Sequence, residues 1–308
     1  MTSILGALAP IFLLILLGFA IRRFAFVPDS FWPGAEKLTY FILFPSLLVA
    51  NLAQADLSGL PVMDIVAAQG IAVLTMAAAL TAVAAKGWRA GLDGAGFSSL
   101  FQGAIRPNTY VGFAAAAGLF GTVGVTLTAI CVAMVVPLVN VLCVLALIHW
   151  TGAGKGLGWR LIVPLVKNPL ILACLLGVAL NVSGVGLPPV AGPLLKILGQ
   201  AALAIGLLAV GAGLDPASLR SGSWQLALTA GLKLVLMPLL VAGVGLALGL
   251  GGRELGVAVL YAGLPIAPNS YMLARQMGGD ARLMAAMITA STLLAGLTLP
   301  AWGWLLAP

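Results

Sequence analysis

The chain has 308 residues, of which 62% are hydrophobic and only 7% charged, with a mean hydropathy of +1.15. A water-soluble domain carries about 25% charged residues, so a surface facing water on all sides is excluded and the chain reads as an integral membrane protein. The net charge of +7 comes without any basic run or interleaved aromatic patch, which excludes nucleic acid as a partner and leaves the excess as a topology signal.

Spans follow from the stretches free of Asp, Glu, Lys and Arg, since a hydrocarbon core about 30 Å thick takes about 20 apolar residues per helix. Ten are expected, at 3–22, 35–54, 62–85, 97–118, 123–149, 161–182, 189–213, 223–249, 254–275 and 281–305. The first has no basic segment before it and Arg22-Arg23 after it, so it is expected to remain as a membrane helix rather than be removed as a signal peptide. With the amino terminus outside, Arg22, Arg23, Lys37, Lys86, Arg89, Lys155, Arg160, Arg220, Arg275 and Arg282 fall at cytoplasmic ends, against Arg253 alone outside. That is a strong positive-inside bias, and both termini are expected on the external face.

An internal repeat appears when the chain is shifted by about 160 residues. Ala104 to Tyr110 (AIRPNTY) meets Pro265 to Tyr271 (PIAPNSY) with four identities in seven positions. Gly18 falls on Gly177, Lys37 on Lys196 and Asp56 on Asp215, with Pro137 close to the match for Pro300. The expectation is an all-α protein of two five-helix repeats, residues 1–150 and 151–308. Five is odd, so the second repeat is inverted, a design of secondary transporters.

The chemistry concentrates at the two matching interruptions. Pro107 and Pro268 lack an N–H and clash with the preceding turn, so spans four and nine are expected to break, freeing the carbonyls of Gly103 and Leu264. Open backbone groups at that depth are tolerated only in protein or beside a water-filled cavity, so a cavity is implied. The half-helix beyond each break offers unpaired amides and the positive end of its dipole, a ready anion site. Asn108 and Asn269 can cap these ends or donate to a carboxylate, and Thr109 and Ser270 add hydroxyls. Tyr110 and Tyr271 either line the cavity or pack with paired hydroxyls.

All eight acids lie at or near span ends, which leaves no buried carboxylate as an ion carrier. The deeper charges are basic: Arg106, Lys167, Lys196 and Lys233. Arg106 is the one connected with substrate, and the other three are expected to snorkel or pair with backbone. Cys131, Cys143 and Cys174 read as packing residues, and His149 beside Trp150 as interfacial. No zinc-protease, nucleophile-elbow or phosphate-loop motif is present, so neither an enzyme nor a metal or cofactor is expected.

At these residues the chain resembles the auxin efflux carrier family, in the bacterial branch of malonate and malate permeases related to the plant PIN auxin exporters. The likeness runs through GALAPIFLLILLGFAIRR, FPSLL, QGAIRPNTYVGFA, KNPLILACLLGVAL, LLAVGAGLD and LPIAPNSYMLARQMGGD, on to STLLAGLTLP. It implies the ten-helix architecture of the bile-acid sodium symporter and NhaA type, with broken helices four and nine crossed. Spans one, two, six and seven would form a scaffold that often dimerises, and the other six an elevator-like transport domain in a bacterial inner membrane. It places carboxylate substrates at Pro107 with Asn108 and Pro268 with Asn269, and offers Ser46 as a scaffold-side wall. Arg106 has only Ala267 at the equivalent place, which leaves its part open. A carrier of small organic anions is the leading expectation. The alternatives are a sodium- or proton-coupled symporter using neutral oxygens and opened carbonyls, and a non-transporting sensor or channel.

Overall fold

The computed structural model describes residues 2–56, 59–152, 168–220 and 223–306. Apart from one isolated β-bridge, the described residues are in helices, turns and loops. Among the described residues, seven helices are long and apolar enough to cross a membrane: Ile4–Arg23, Phe31–Leu52, Val62–Ala85, Thr109–Thr151, Ala191–Ala212, Trp224–Ala247 and Ala281–Leu305.

The first helix, α1, is Thr2–Arg23. The next run comprises α2 (Phe31–Leu38), a π-helical turn at Thr39–Leu43, and α3 (Phe44–Leu52). Pro45 stands at the start of α3; it has no N–H for the carbonyl four residues back, and a widened turn is one way a helix absorbs that loss. Next come α4 (Val62–Ala85), α5 (Gly94–Ile105) and α6 (Thr109–Thr151). At about 1.5 Å per residue, the 43 residues of α6 are twice too long for one crossing. Gly121 divides them, with φ 62° and ψ −147°, a conformation reserved in practice for glycine.

The chain continues with α7 (Pro169–Val182) and α8 (Ala191–Ala212). A second run comprises α9 (Ser223–Gly231), a π-helical turn at Leu232–Leu236, and α10 (Met237–Ala247). Pro238 plays the part of Pro45, and the Leu234 carbonyl it leaves free accepts a 2.9 Å hydrogen bond from the Trp302 indole. The last helices are α11 (Gly252–Ala262), α12 (Asn269–Gln276) and α13 (Ala281–Leu305). Expected spans at 62–85 and 281–305 match α4 and α13 in full. Spans four and nine fall into half-helices, each too short to cross alone. The start of span six, with Lys155, Arg160 and Lys167, lies outside the described residues.

Packing separates the helices into two groups. Helix α3 packs on α7 and α8, and α1 on α8; α4, α5, α6 and α9 to α13 pack mainly among themselves. Between α1 and α8 the backbones nearly touch. A Cβ built on Gly18 would fall on the Leu208 carbonyl, and one on Gly211 on the Ile15 carbonyl. Small residues permit such an approach, which is how membrane helices gain packing energy without a hydrophobic drive. Gly211→Ala is therefore expected to force the two helices apart at a cost of about 1–3 kcal/mol. The check is a lowered thermal midpoint of the detergent-solubilised protein, beside an unchanged Gly243→Ala, where a Cβ meets open space.

Candidate functional site

The two interruptions meet. Pro107 and Ile266 form an antiparallel bridge. The Asn108 amide donates to the Pro265 carbonyl at 2.8 Å, and the Ala267 amide to the Arg106 carbonyl at 3.3 Å. Strand-like pairing thus satisfies part of the backbone that each break leaves open. Four half-helix ends converge on this crossing: the carboxyl ends of α5 and α11, and the amino ends of α6 and α12.

The breaks differ in length and in capping. In the first, only Arg106 to Asn108 leave the helix. Asn108 takes cap geometry (φ −81°, ψ 99°), and its Oδ1 accepts from the Tyr110 amide at 3.1 Å and the Val111 amide at 3.4 Å. The second break begins earlier than expected, because α11 already stops at Ala262. Leu264 therefore lies outside any helix, and Pro268 is not what frees its carbonyl. Residue Ser291 of α13 steadies this longer segment, its hydroxyl accepting from the Ile266 amide at 3.1 Å.

Of the two roles expected of Asn269, capping its half-helix or donating to a carboxylate, the first is corrected. Pro268 adopts helical angles (φ −58°, ψ −34°), so Asn269 is the first helical residue, is exposed, and forms no cap. Ser270, one residue on, is fully buried with an unpartnered hydroxyl.

Four polar side chains are buried at the crossing without partners for all their atoms. They are both amide atoms of Gln102, Nη1 of Arg106, Nδ2 of Asn108 and Oγ of Ser270. Each such group costs about 1–3 kcal/mol when left unmatched, and all four can donate. A ligand rich in acceptor oxygens answers the donors among them. No group of three or more His, Cys, Asp or Glu residues able to hold a metal occurs among the described residues.

Arg106 is fixed by neighbours that the sequence did not connect with it. Its Nη2 donates to Asn140 Oδ1 of α6 at 2.6 Å, and Cys143, Tyr40 and Asn168 lie near the same guanidinium or beside its neighbours. Asn168 also caps α7, accepting from the Leu170 amide at 2.9 Å. Tyr110 is partly buried, its ring edge-on to Phe44 with centroids 4.7 Å apart, so its ring packs. Thr109 and Tyr271 are partly buried. Ser46 is buried, but its hydroxyl donates to the Ile42 carbonyl of its own helix at 2.8 Å.

A cavity between the two helix groups is lined by other residues. It measures about 870 Å³ and sits between α3 and α8 on one side and α6 and α11 on the other. Its polar lining includes Asn51, Gln54, Asp56, Thr126, Lys196 and Arg253, and none of the expected site residues. Lys196 is exposed. Lys233, by contrast, is almost fully buried and donates to the Ala262 carbonyl at 2.7 Å, the backbone pairing expected of it.

Crossed interruptions inside a multi-pass, all-helical membrane protein define the class, and sequence comparison supplies the family. Residues 158–303, which include the second break, match the family described as Membrane transport protein. An uncharacterized transporter of Methanothermobacter thermautotrophicus is 31% identical over 296 residues, covering 95% of this chain and 95% of its own. The chain belongs to this membrane transport protein family, the auxin efflux carrier-like family its motifs resemble.

Proposed function

We propose that the chain is a secondary carrier of small organic anions, carboxylates such as malonate, malate or auxin-like acids, held where the two broken helices cross. The observation that carries this reading is the set of buried, unpaired donor atoms at that crossing: Gln102 Nε2, Arg106 Nη1, Asn108 Nδ2 and Ser270 Oγ. They stand beside the amino ends of α6 and α12, where backbone amides and helix dipoles favour negative charge.

In this reading ten spans form two inverted repeats. Helices α1, α2, α3, α7 and α8 are the static wall, and the remainder carry the crossing from one face of the membrane to the other. The cavity at the Asp56 and Arg253 end supports it, because the two helix groups part there while Tyr110 and Phe44 pack together elsewhere.

Two alanine variants test the site. Asn108→Ala removes both a cap, at about 1 kcal/mol of stability, and a donor to a charged ligand, at about 1.5–3 kcal/mol. Asn269→Ala removes an exposed amide and is expected to leave stability unchanged while weakening binding. Thermal shift against a carboxylate panel and counterflow in proteoliposomes measure both effects. Unchanged affinity in both variants rejects the assigned site.

A further inference from the structure

Arg106 and Lys233 are the two charged side chains buried among the described residues, at 8% and 1% exposure. Neither forms an ion pair among those residues, where the one salt bridge is Arg22 with Asp29. Each stands near the end of one of the two half-helices that stop at the crossing. Arg106 is the residue at which α5 ends, and Lys233 Nζ meets the carbonyl of the last residue of α11. Each half-helix that ends at the crossing, with the negative pole of its dipole, therefore carries a cation.

The two half-helices that begin there are treated differently. Neither α6 nor α12 has an acid in its own first turn; the first amides of α6 are held by the neutral Asn108 side chain, and Glu36 of α2 acts on Tyr110 from outside the crossing. Cations stand by the negative ends while neither positive end carries an acid of its own helix, so the field at the crossing favours an anion. In the repeat, Ala267 occupies the place of Arg106, and the second break has no cation of its own. The π-helical turn ahead of Pro238 supplies one from a neighbouring helix. One turn earlier on the same helix, Thr229 lies against α5, where a Cβ built on Gly103 would stand 2.7 Å from its methyl group and 3.2 Å from Ile266. Helices α5, α9, α10 and α13 pack against this turn.

We propose that Lys233 is the charge-selectivity residue of the second break, the counterpart of Arg106 in the first. It holds the carboxyl end of α11 by its hydrogen bond and makes the crossing prefer an anion to a neutral molecule of the same shape. This assignment rests on the crossing being the anion site. Its function is separable from simple stabilisation, because a structural lysine sets how firmly the protein folds and not which form of a ligand it prefers.

The test compares acetate, malonate, succinate and indole-3-acetate with their neutral amides, by thermal shift and equilibrium binding on purified protein. Wild type is expected to prefer at least one acid over its amide. Lys233→Gln keeps a donor for the Ala262 carbonyl but loses the charge, and Lys233→Met loses both; each is expected to cut the acid-over-amide preference at least about tenfold. Lys233→Arg is expected to keep it. A folded Lys233→Gln or Lys233→Met with the wild-type preference overturns the assignment, as does a Lys233→Arg that loses the preference. Should neither neutral variant fold, Lys233→Arg decides alone on the same terms. A wild-type protein that binds none of the acids overturns the anion-carrier reading itself, and this assignment with it.

Discussion

Asn108→Asp is expected to leave the protein folded and to abolish anion binding. Asp caps a helix about as well as Asn, so the contacts to the Tyr110 and Val111 amides survive the change. What is lost is the Nδ2 donor, and what is gained is a carboxylate two residues from Arg106 at the amino end of α6. Two like charges 4 Å apart repel by about 4 kcal/mol at an effective dielectric constant near 20, so the internal carboxylate occupies the place of the substrate. The thermal midpoint without ligand should not fall, added carboxylates should no longer raise it, and uptake should drop to that of protein-free liposomes. Asn108→Ser, which caps without charge, should retain part of the binding. Asn269→Asp should do less, since Asn269 is exposed and lies inside its helix rather than at the cap. Carboxylate affinity in Asn108→Asp close to wild type would show that the anion sits elsewhere.

That asymmetry marks the boundary of what the sequence discloses. The two breaks are legible because proline removes a backbone donor wherever it stands, and asparagine after it is a local signal. The division of α6 at Gly121 follows from length, since a single crossing cannot take up 43 residues. Which of two identical Pro-Asn pairs forms the cap is not local. It depends on whether the proline adopts helical angles, and so on the preceding loop, which Ser291 holds in the second repeat. The partners of the buried cations are equally hidden. Helix α6 is apolar on nearly every side, so no polar stripe shows which way Asn140 faces, and only packing brings it to Arg106. Lys233 reaches Ala262 from 29 positions away, through a widened turn whose cause, Pro238, is visible in the sequence but whose consequence is not.

The second large effect is expected at Gly206, which lies on α8 and not among the buried donors of the crossing. A Cβ there would stand 3.0 Å from the Tyr110 ring and 3.6 Å from the Thr39 methyl group. Tyr110 thus sits in a notch formed by Gly206, Thr39 and Phe44, three residues of the group proposed to stay fixed, while its own helix belongs to the group proposed to move. If the crossing is carried across the membrane, this contact must be made and broken in each cycle, and a larger side chain obstructs it. Gly206→Val is therefore expected to slow counterflow in proteoliposomes at least about tenfold, the equivalent of 1.4 kcal/mol. Carboxylate binding should stay close to wild type, because Gln102, Arg106, Asn108 and Ser270 all lie on α5, α12 or the breaks. Gly206→Ala should show a milder form of the same split, and Gly243→Val, placed in open space, should show none. Binding and transport falling together would mean that α8 forms part of the anion site. Undiminished counterflow would mean that Tyr110 does not move past α8, and the transported unit would have to be drawn along a different seam.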